Sequence, residues 1–339
     1  MTFTRRVAPG LLAAAAATLM IGSAMIGPAA AQERKNLLLD AKSWGYQLRN
    51  LQPEQQKKIA ASPYDVVIID YEHEAVKTET PLTRAEVEGM KIKPDGSRRL
   101  VMAYFSIGEA ETYRKYWKPE WNKTKPSWVG KENKEWKNNF LVKYWEPEWQ
   151  KIVFGSPEAF ADRVLASGFD GFYLDRVDAY YYFGDTVDLR KKMVDFVSKL
   201  TTYIRAKKPD AMILGQNAEE LLDYPEYVKA IDGIAKESLY FGIPGPDKPN
   251  PADDVKEGNA FLSKARAAGK AAFCVEYLKN PANIDTAKKR MEEKGFVLYV
   301  ANRGLAELNP SPTAVPPPTK ESFVEKVVAK VLPNKPKNR

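Results

Sequence analysis

The sequence predicts a single (β/α)₈ barrel, and three observations support that fold class. Eight short apolar runs are separated by seven stretches of helical length, the crossovers that parallel strands require. The run at 64–71 (YDVVIIDY) is β-branched without polar alternation, as expected for a strand covered on both faces. Most runs end in acidic or amide side chains, at the positions where such a barrel carries its functional groups.

Residues 1–31 are expected to form a secretory signal peptide rather than part of the fold. Arg5 and Arg6 precede an apolar stretch at 11–26, and the alanines at 29–31 supply the small residues of a cleavage site. A retained membrane anchor is the alternative, but the apolar stretch is short for a membrane span. We therefore expect an exported protein, periplasmic or extracellular, with no stable membrane insertion after cleavage.

The mature chain, residues 32–339, has the length of one barrel domain. Of 52 basic residues two lie in the signal segment, which leaves 50 against 44 acidic residues. This mild excess favours a solvated surface over a nucleic-acid partner. Cys274, the only cysteine, excludes a disulfide framework, and His73, the only histidine, excludes a His-rich zinc site. The chemistry is left to carboxylates, tyrosines or lysines.

The predicted elements of the first half follow in order. A short strand at 44–48 precedes a helix at 53–61, which has proline near its first turn. The strand at 64–71 is followed by a helix at 83–90, and the apolar run at 99–106 is the third strand.

An insertion without predicted regular structure follows at about 113–150. A helix at 157–167, a strand at 168–175 and a strongly periodic helix at 189–207 come next. The remaining strands are expected at 211–215, 232–236, 271–275 and 296–301, and the remaining helices at 218–230, 252–268, 284–294 and 320–331. A proline-rich linker at 310–318 precedes the final helix. An open doubly wound sheet is the alternative fold, but no glycine-rich phosphate loop follows the first strand.

Acidic and amide side chains follow nearly every predicted strand. Those of main interest are Asp70, Glu109, Glu111, Asp175, Asp178, Asn217, Glu219, Glu220, Glu237 and Glu276, with Arg303 after the last strand. Such acids often cap the next helix, and we favour that interpretation for Glu219 and Glu220 and keep it open for Asp178. The strongest candidates end their apolar runs directly, and these are Asp70, Asp175, Glu237 and Glu276.

Carboxylates gathered at one barrel mouth point to acid–base chemistry. Because crowded carboxylates repel, some titrate at high pH while others stay ionised, and that split supplies a general acid together with a nucleophile or base. Glycoside cleavage needs such a pair. Mg²⁺ or Ca²⁺ binding is the competing use of clustered acids, but no DxD-type loop is present.

Tryptophans provide a second indication of function. Six of the seven lie in the insertion, at 117, 121, 128, 136, 145 and 149, and the seventh is Trp44 on the first strand. Indole faces pack well against sugars, so the density suggests a saccharide cleft. The alternative is that the insertion builds its own small core, and we expect one or two tryptophans to face ligand. Trp44 and Tyr46 are included among the expected substrate contacts.

Five motifs occur in the order WGYQL, DVVIIDY, AYFSIGEAETYRKYW, VKYWEPEW and GFDGFYLDRVDAY. Together they resemble the glycoside hydrolase family 114 superfamily, the endo-α-1,4-polygalactosaminidase-like group. The resemblance covers roughly residues 43–303.

The resemblance implies a barrel that cleaves α-1,4-linked galactosamine or N-acetylgalactosamine polymers, and we expect no cofactor or metal. It places the catalytic acids at Asp175 and Glu237, with Asp175 as nucleophile and Glu237 as acid/base by analogy with a retaining mechanism. Polysaccharide is the expected partner. The expected substrate contacts are Asp70, Glu109, Glu111, Asp178, Glu276, Arg303, Tyr46, Asn217 and Trp44. The alternatives are a non-catalytic carbohydrate-binding barrel and a metal-dependent hydrolase.

Overall fold

The computed structural model describes residues 28–74 and 80–316. In chain order the strands of this part are β1 (Trp44–Gln47), β2 (Val66–Ile69), β3 (Leu100–Ser106), β4 (Glu109–Glu111), β5 (Val129–Glu132), β6 (Asn139–Val142), β7 (Gly171–Asp175), β8 (Met212–Gln216), β9 (Gly233–Glu237), β10 (Ala271–Glu276) and β11 (Val297–Val300). The helices are α1 (Pro28–Leu39), α2 (Pro53–Ala60), α3 (Arg84–Gly89), α4 (Pro147–Val153), α5 (Phe160–Ser167), α6 (Val187–Lys207), α7 (Pro225–Ala230), α8 (Ala252–Ala267) and α9 (Pro281–Lys294).

The predicted barrel is confirmed. Eight strands form one parallel sheet in the order β1-β2-β3-β7-β8-β9-β10-β11, and they match the eight predicted strands. The sheet is nearly closed, since β1 and β11 lie side by side at its seam. The indole N–H of Trp44 donates to the carbonyl of Val297 across that seam at 3.0 Å. All eight strands therefore present their carboxyl ends at the same mouth.

Aromatic rings fill much of the barrel interior. Trp44 is fully buried and contacts Tyr46, Tyr173, Phe273 and Tyr299, with ring centroids 5.4 to 6.4 Å apart. Because residues two apart on a strand share a face, this interior layer leads directly to the inward side chains at the mouth.

The insertion after β3 is more regular than the sequence indicated. It contains an antiparallel sheet in the order β4-β6-β5, followed by α4. Trp117, Trp121, Trp128 and Trp149 contact one another in sequence, with ring centroids 5.2 to 5.5 Å apart. Trp149 is fully buried and donates its indole N–H to the carbonyl of Ile107 at 2.9 Å. Most of the tryptophans thus build a core that fastens the insertion to the barrel.

The predicted single helix at 218–230 is wrong. The segment is a 3₁₀ helix, Glu219–Asp223, followed by α7. Pro225 explains the break, because proline has no N–H to continue a helix and forces the preceding residue into an extended conformation. Tyr224 is extended, with φ −100° and ψ 114°.

The two ends of the chain lie only partly within the described residues. The predicted signal peptide lies mostly outside them, and α1 begins at Pro28, before the predicted cleavage site. The final helix at 320–331 lies outside them, as do residues 317–318 of the linker. The described part of the linker contacts the barrel, because the Val300 N–H donates to the Pro312 carbonyl at 2.8 Å. Within the described ranges, no helix has the length and apolar character needed to cross a membrane.

Candidate active site

Three neighbouring strands place three functional side chains in a row at the barrel mouth. Asp175 ends β7, Gln216 ends β8 and Glu237 ends β9. The Nε2 of Gln216 donates hydrogen bonds to Asp175 Oδ1 at 2.9 Å and to Glu237 Oε2 at 2.8 Å. One amide therefore holds Asp175 and Glu237, which we call the carboxylate pair, at a fixed separation.

The separation of the carboxylate pair follows from that shared donor. Because Asp175 Oδ1 and Glu237 Oε2 lie 2.9 and 2.8 Å from the same nitrogen, they are at most about 5.7 Å apart, the sum of the two lengths. The two hydrogens of an amide diverge by about 120°, which gives an oxygen separation of about 5 Å.

Each carboxylate receives further hydrogen bonds. Asp175 accepts one from the Tyr104 hydroxyl at 2.7 Å and one from the Arg176 backbone N–H at 2.7 Å. Glu237 accepts from the Tyr277 hydroxyl and from Asn217 Nδ2 at 3.2 Å. The rotamers of both acids are thus fixed before any substrate arrives.

The backbone turns sharply after each of these strands. Arg176, Asn217 and Ser238 directly follow the three strand ends, and they have φ values of 58°, 55° and 53°. This left-handed region is uncommon for residues other than glycine, and such strained residues cluster at functional sites. At Asn217 the turn lets the side-chain oxygen accept the backbone N–H of Glu237 at 3.1 Å.

Burial and neighbouring charges act on the pKa of Asp175 in both directions. Burial and the negative charge of Glu237 raise the pKa of Asp175 to about 7, while the neighbouring Arg176 acts in the opposite direction. Burial also raises the pKa of Tyr104 and that of Tyr277 well above 10, so both remain neutral hydroxyl donors.

Glu109 belongs to a second group beside the pair. It is buried and accepts hydrogen bonds from Arg176 and from Asn133 Nδ2, the latter at 2.8 Å. Burial raises its pKa, although the charge of Arg176 opposes the shift. Glu109 therefore fixes the guanidinium of Arg176, the residue that directly follows Asp175. Gly108 makes room for this arrangement, since a Cβ there would lie 2.3 Å from the Arg176 carbonyl oxygen.

Asp70 and Glu111 lie in a third, closed group. Both are buried and bind Arg114, which contacts Asp70 at 2.7 and 2.8 Å and Glu111 at 2.7 Å. Glu72 joins them at 3.1 Å from the same guanidinium. Because Arg114 is itself only 2% exposed, the charges of these acids are met by a buried cation. The structure therefore separates them from the carboxylate pair.

Asp178 and Arg303 lie near the pair, and both are partly exposed. Asp178 is partly exposed, and burial raises its pKa against the charges of Arg176 and Lys236. The guanidinium of Arg303 lies 5.0 Å from the ring centroid of Tyr277, the residue that donates to Glu237.

Two predicted contacts lie away from the open mouth. Glu276 is fully buried and turns toward the loop after β9, where its Oε1 accepts the Tyr240 N–H at 2.7 Å. Trp44 lies in the barrel interior, fully buried. Tyr46 is also buried, but its hydroxyl reaches the site through Gln216.

The two acids interpreted as helix caps both lie in the first turn of the 3₁₀ helix Glu219–Asp223, and both also make side-chain contacts. Glu219 pairs with Lys236 at 2.8 Å, and Glu220 accepts hydrogen bonds from the hydroxyls of Tyr180 and Tyr181. No group of three or more His, Cys, Asp or Glu side chains within the described ranges is arranged to hold a metal ion.

Several residues of the site were not among the expected catalytic acids and substrate contacts. Gln216, Tyr104, Tyr277, Arg176 and Arg114 all contact a predicted acid. A usable signal existed for Gln216, which ends a strand between two acid-ending strands. The alternation along β3 directs the side chain of Tyr104 into the barrel. Which residue of β7 it meets depends on the register of β3 against β7, and the sequence does not give that register.

Comparison with known proteins gives one family. The sequence profile of Glycoside-hydrolase family GH114 matches residues 27–315. An uncharacterised protein of Deinococcus radiodurans is 33% identical over 83% of this chain and 87% of its own length. One of Methanocaldococcus jannaschii is 35% identical over 78% of both chains.

Two solved structures share the fold. The glycoside hydrolase domain of PelA from Pseudomonas aeruginosa superposes with a TM-score of 0.59 at 18% identity, over 78% of this chain and 96% of that one. Aspergillus fumigatus Ega3, solved in complex with galactosamine, superposes with a TM-score of 0.56 at 19% identity, over 79% of this chain and 94% of that one. With a profile match that spans almost the whole described barrel, the chain belongs to glycoside hydrolase family GH114 and is a glycoside hydrolase.

Proposed function

We propose that this protein is an exported endo-glycosidase that hydrolyses α-1,4-linked galactosamine or N-acetylgalactosamine polysaccharide with the carboxylate pair. The observation that carries the proposal is the amide of Gln216, which binds Asp175 and Glu237 at once. Family membership supports glycoside hydrolysis, and the galactosamine bound in the Ega3 structure supports the sugar class. The sequence features of residues 1–31 support export.

The separation of the pair favours a retaining mechanism. Retaining glycosidases hold their two carboxyl groups about 5–5.5 Å apart, and inverting enzymes about 6.5–9.5 Å apart to admit a water. The oxygens that share Gln216 are at most about 5.7 Å apart, which leaves no room for that water between them.

In the first step Asp175 attacks the anomeric carbon, and the bond from that carbon to the leaving oxygen breaks as Glu237 gives that oxygen a proton. In the second step water transfers a proton to Glu237, and its oxygen displaces Asp175 from the sugar. Asp175 must be ionised in this step, although burial and the charge of Glu237 raise its pKa to about 7. When Glu237 holds the proton, its charge no longer raises that pKa, and the Tyr104 hydroxyl and Arg176 both lower it.

Charge at the mouth also suits an amino sugar. Asp178 is a partly exposed carboxylate that lies close enough to the carboxylate pair for their charges to interact. A partly deacetylated galactosamine polymer is cationic, so these acids would attract it and orient its amino groups.

The test is to incubate the mature protein, residues 32–339, with polymers of galactosamine, N-acetylgalactosamine and glucosamine. We expect internal cleavage of the first two, identified by product mass spectrometry, and proton NMR at early times should show the α-anomer. Asp175→Asn and Glu237→Gln should each lower reducing-end release by at least about a thousandfold. Wild-type rates in both variants would refute the assignment of the pair.

Two further outcomes distinguish the alternatives. A protein that binds the polymer and never cleaves it is a carbohydrate-binding barrel rather than an enzyme. Activity that EDTA abolishes and a divalent cation restores would identify a metal-dependent hydrolase. For export, N-terminal sequencing of the secreted form should begin at Gln32.

A further inference from the structure

Two adjacent tyrosines are exposed at the barrel mouth. Among the large apolar side chains of the described residues, only Tyr181 and Tyr182 are both aromatic and exposed, at 42% and 55%. They belong to the 3₁₀ helix Val177–Phe183, which begins two residues after Asp175. Their rings therefore lie on the rim of the candidate site, where the chain leaves β7.

Tyr182 is exposed, yet its ring is held in place. The guanidinium of Arg176 lies 4.7 Å from the ring centroid, and Arg176 Nη1 donates to the Tyr182 hydroxyl at 3.3 Å. Arg176 is in turn fixed by Glu109, which is only 2% exposed. One face of the Tyr182 ring thus packs on the guanidinium of Arg176, which Glu109 holds in place, while the rest of the ring is exposed to solvent.

The neighbouring tyrosines keep the supporting helix rigid. The hydroxyls of Tyr180 and Tyr181 both donate to Glu220, which follows the next barrel strand. A side chain that is already ordered loses little conformational entropy when a ligand packs on it. Ordering an exposed aromatic ring in this way has no evident value for folding, because the ring stays largely in water.

Glu109 ties the rim to a second element. Besides Arg176, it accepts from Asn133, which lies in the turn between β5 and β6 and also accepts the Trp136 N–H at 3.3 Å. Trp136 is half-buried and does not share the tryptophan core of the insertion. The carboxylate of Glu109 therefore fixes the positions of two loops that border the same side of the mouth.

We propose that Tyr182 is a stacking platform for a sugar ring of the polymer at a subsite outside the cleaved bond, with Arg176 and Glu109 as its positioning residues. The exposed ring face takes the C–H face of a pyranose, as aromatic rings do in saccharide recognition. Such a subsite binds a long chain along the rim and so favours internal cleavage. This inference rests on the proposed function only for the identity of the ligand.

The experiment measures binding and turnover separately. Binding of a partly N-acetylated α-1,4-galactosamine polymer is measured by affinity electrophoresis in the Asp175→Asn background, with and without Tyr182→Ala. We expect Tyr182→Ala to weaken binding about fivefold to tenfold, as one aromatic contact contributes. Tyr182→Phe keeps the ring and should retain at least half of the affinity. Val187→Ala, which truncates a 61% exposed side chain on the next helix, should change nothing.

In the active protein, Tyr182→Ala should raise KM for long polymer by a much larger factor than it lowers kcat for the shortest cleaved oligosaccharide. Unchanged polymer binding in Tyr182→Ala, or equal losses in Tyr182→Ala and Val187→Ala, would overturn the platform. So would a loss of kcat on short substrates with a lowered melting temperature, because the ring would then be structural. If wild type never cleaves the polymer but binds it through Tyr182, the platform stands and the proposed hydrolysis fails. A wild type that binds none of the polymer overturns both.

Discussion

The hydroxyl of Tyr46 donates a hydrogen bond to the side-chain oxygen of Gln216 at 3.2 Å. Burial raises the pKa of Tyr46 well above 10, so this donor stays neutral across the accessible pH range. With its oxygen engaged, the amide must turn its two N–H bonds toward Asp175 and Glu237. A residue deep in the barrel thereby sets the geometry of the pair at its mouth.

Replacement of Gln216 by glutamate should therefore impair turnover strongly. Gln216→Glu keeps the size of the side chain, removes both N–H donors and adds a third carboxyl group. We expect kcat for polymer cleavage to fall about a hundredfold or more, as when a preorganised donor is lost from an active site. Initial rates of reducing-end release measure the effect.

Tyr46→Phe is the matched control for that change. It leaves both N–H donors in place and only frees the amide to flip, so we expect a loss of about threefold to tenfold. Unchanged kcat in Gln216→Glu, with an unchanged melting temperature, would show that the amide does not position the pair.

The pH dependence of the pair should change when Glu237 loses its charge. The charge of Glu237 is the second cause, after burial, of the rise in the pKa of Asp175 to about 7. Glu237→Gln removes that repulsion, so the pKa of Asp175 should fall and Asp175 should stay ionised in more acidic solution. With an aryl glycoside, whose leaving group needs no general acid, the acid limb of kcat/KM should move to lower pH.

Asp178→Asn provides a graded comparison, because Asp178 also raises the pKa of Asp175 but ranks below Glu237 as a cause. The acid limb of kcat/KM for Asp178→Asn should also move to lower pH, but by less than that of Glu237→Gln. An acid limb that stays in place in Glu237→Gln would contradict the electrostatic coupling of the two acids.

The sequence predicted the barrel well because its evidence is local. Each buried parallel strand is a short apolar run, and each crossover is long enough to be recognised as a helix. The failure at 218–230 was also local, since Pro225 breaks a helix that the apolar pattern alone supports. Every barrel strand ends within two residues of its predicted position, so each candidate acid lies at or close to a strand end as expected.

Which strand-end acids meet could not be predicted in the same way. Asp70 and Asp175 both end apolar runs, yet Asp70 faces the buried Arg114 and Asp175 faces Gln216. The two acids have different partners because of Arg114 in the insertion and the left-handed turn at Arg176. No local sequence pattern indicates either feature. Only the family resemblance separated Asp175 and Glu237 from the other acids in advance.

The Arg114 cluster should prove structural. Arg114 is buried and neutralises Asp70 and Glu111 through charged hydrogen bonds at 2.7 to 2.8 Å. Arg114→Met keeps an unbranched apolar side chain but removes the guanidinium and leaves the carboxylates buried without a cation, which costs about 3–5 kcal/mol of unfolding free energy. Urea denaturation measures this loss.

Arg114→Lys is the comparison, because it keeps the positive charge but loses the forked geometry of the guanidinium. Its free energy of unfolding should lie between those of wild type and Arg114→Met. Any variant that remains folded should keep the acid limb of kcat/KM, since Arg114 does not touch the pair. A shifted acid limb in a folded variant would place the cluster in the chemistry instead.

Glu276 should make the stability of the fold depend on pH. It is fully buried, its Oε2 has no hydrogen-bond partner, and burial raises its pKa from 4.5 to about 8. Because the folded-state value lies above the unfolded one, the unfolded chain releases this proton first as pH rises. The contribution of Glu276 to the free energy of unfolding is therefore largest below about pH 4.5. It decreases as the pH rises toward 8 and is constant above that.

Glu276→Gln cannot titrate and should remove this contribution to the slope. The side-chain oxygen can still accept the Tyr240 N–H, so the loop after β9 should keep its place. Between pH 5 and 8 the unfolding free energy of wild type should fall relative to that of the variant by on the order of 3 kcal/mol. Urea denaturation at three or more pH values measures the difference. Parallel pH profiles for the two proteins would mean that Glu276 is already ionised in the folded barrel, with its charge balanced by the backbone N–H groups of the loop.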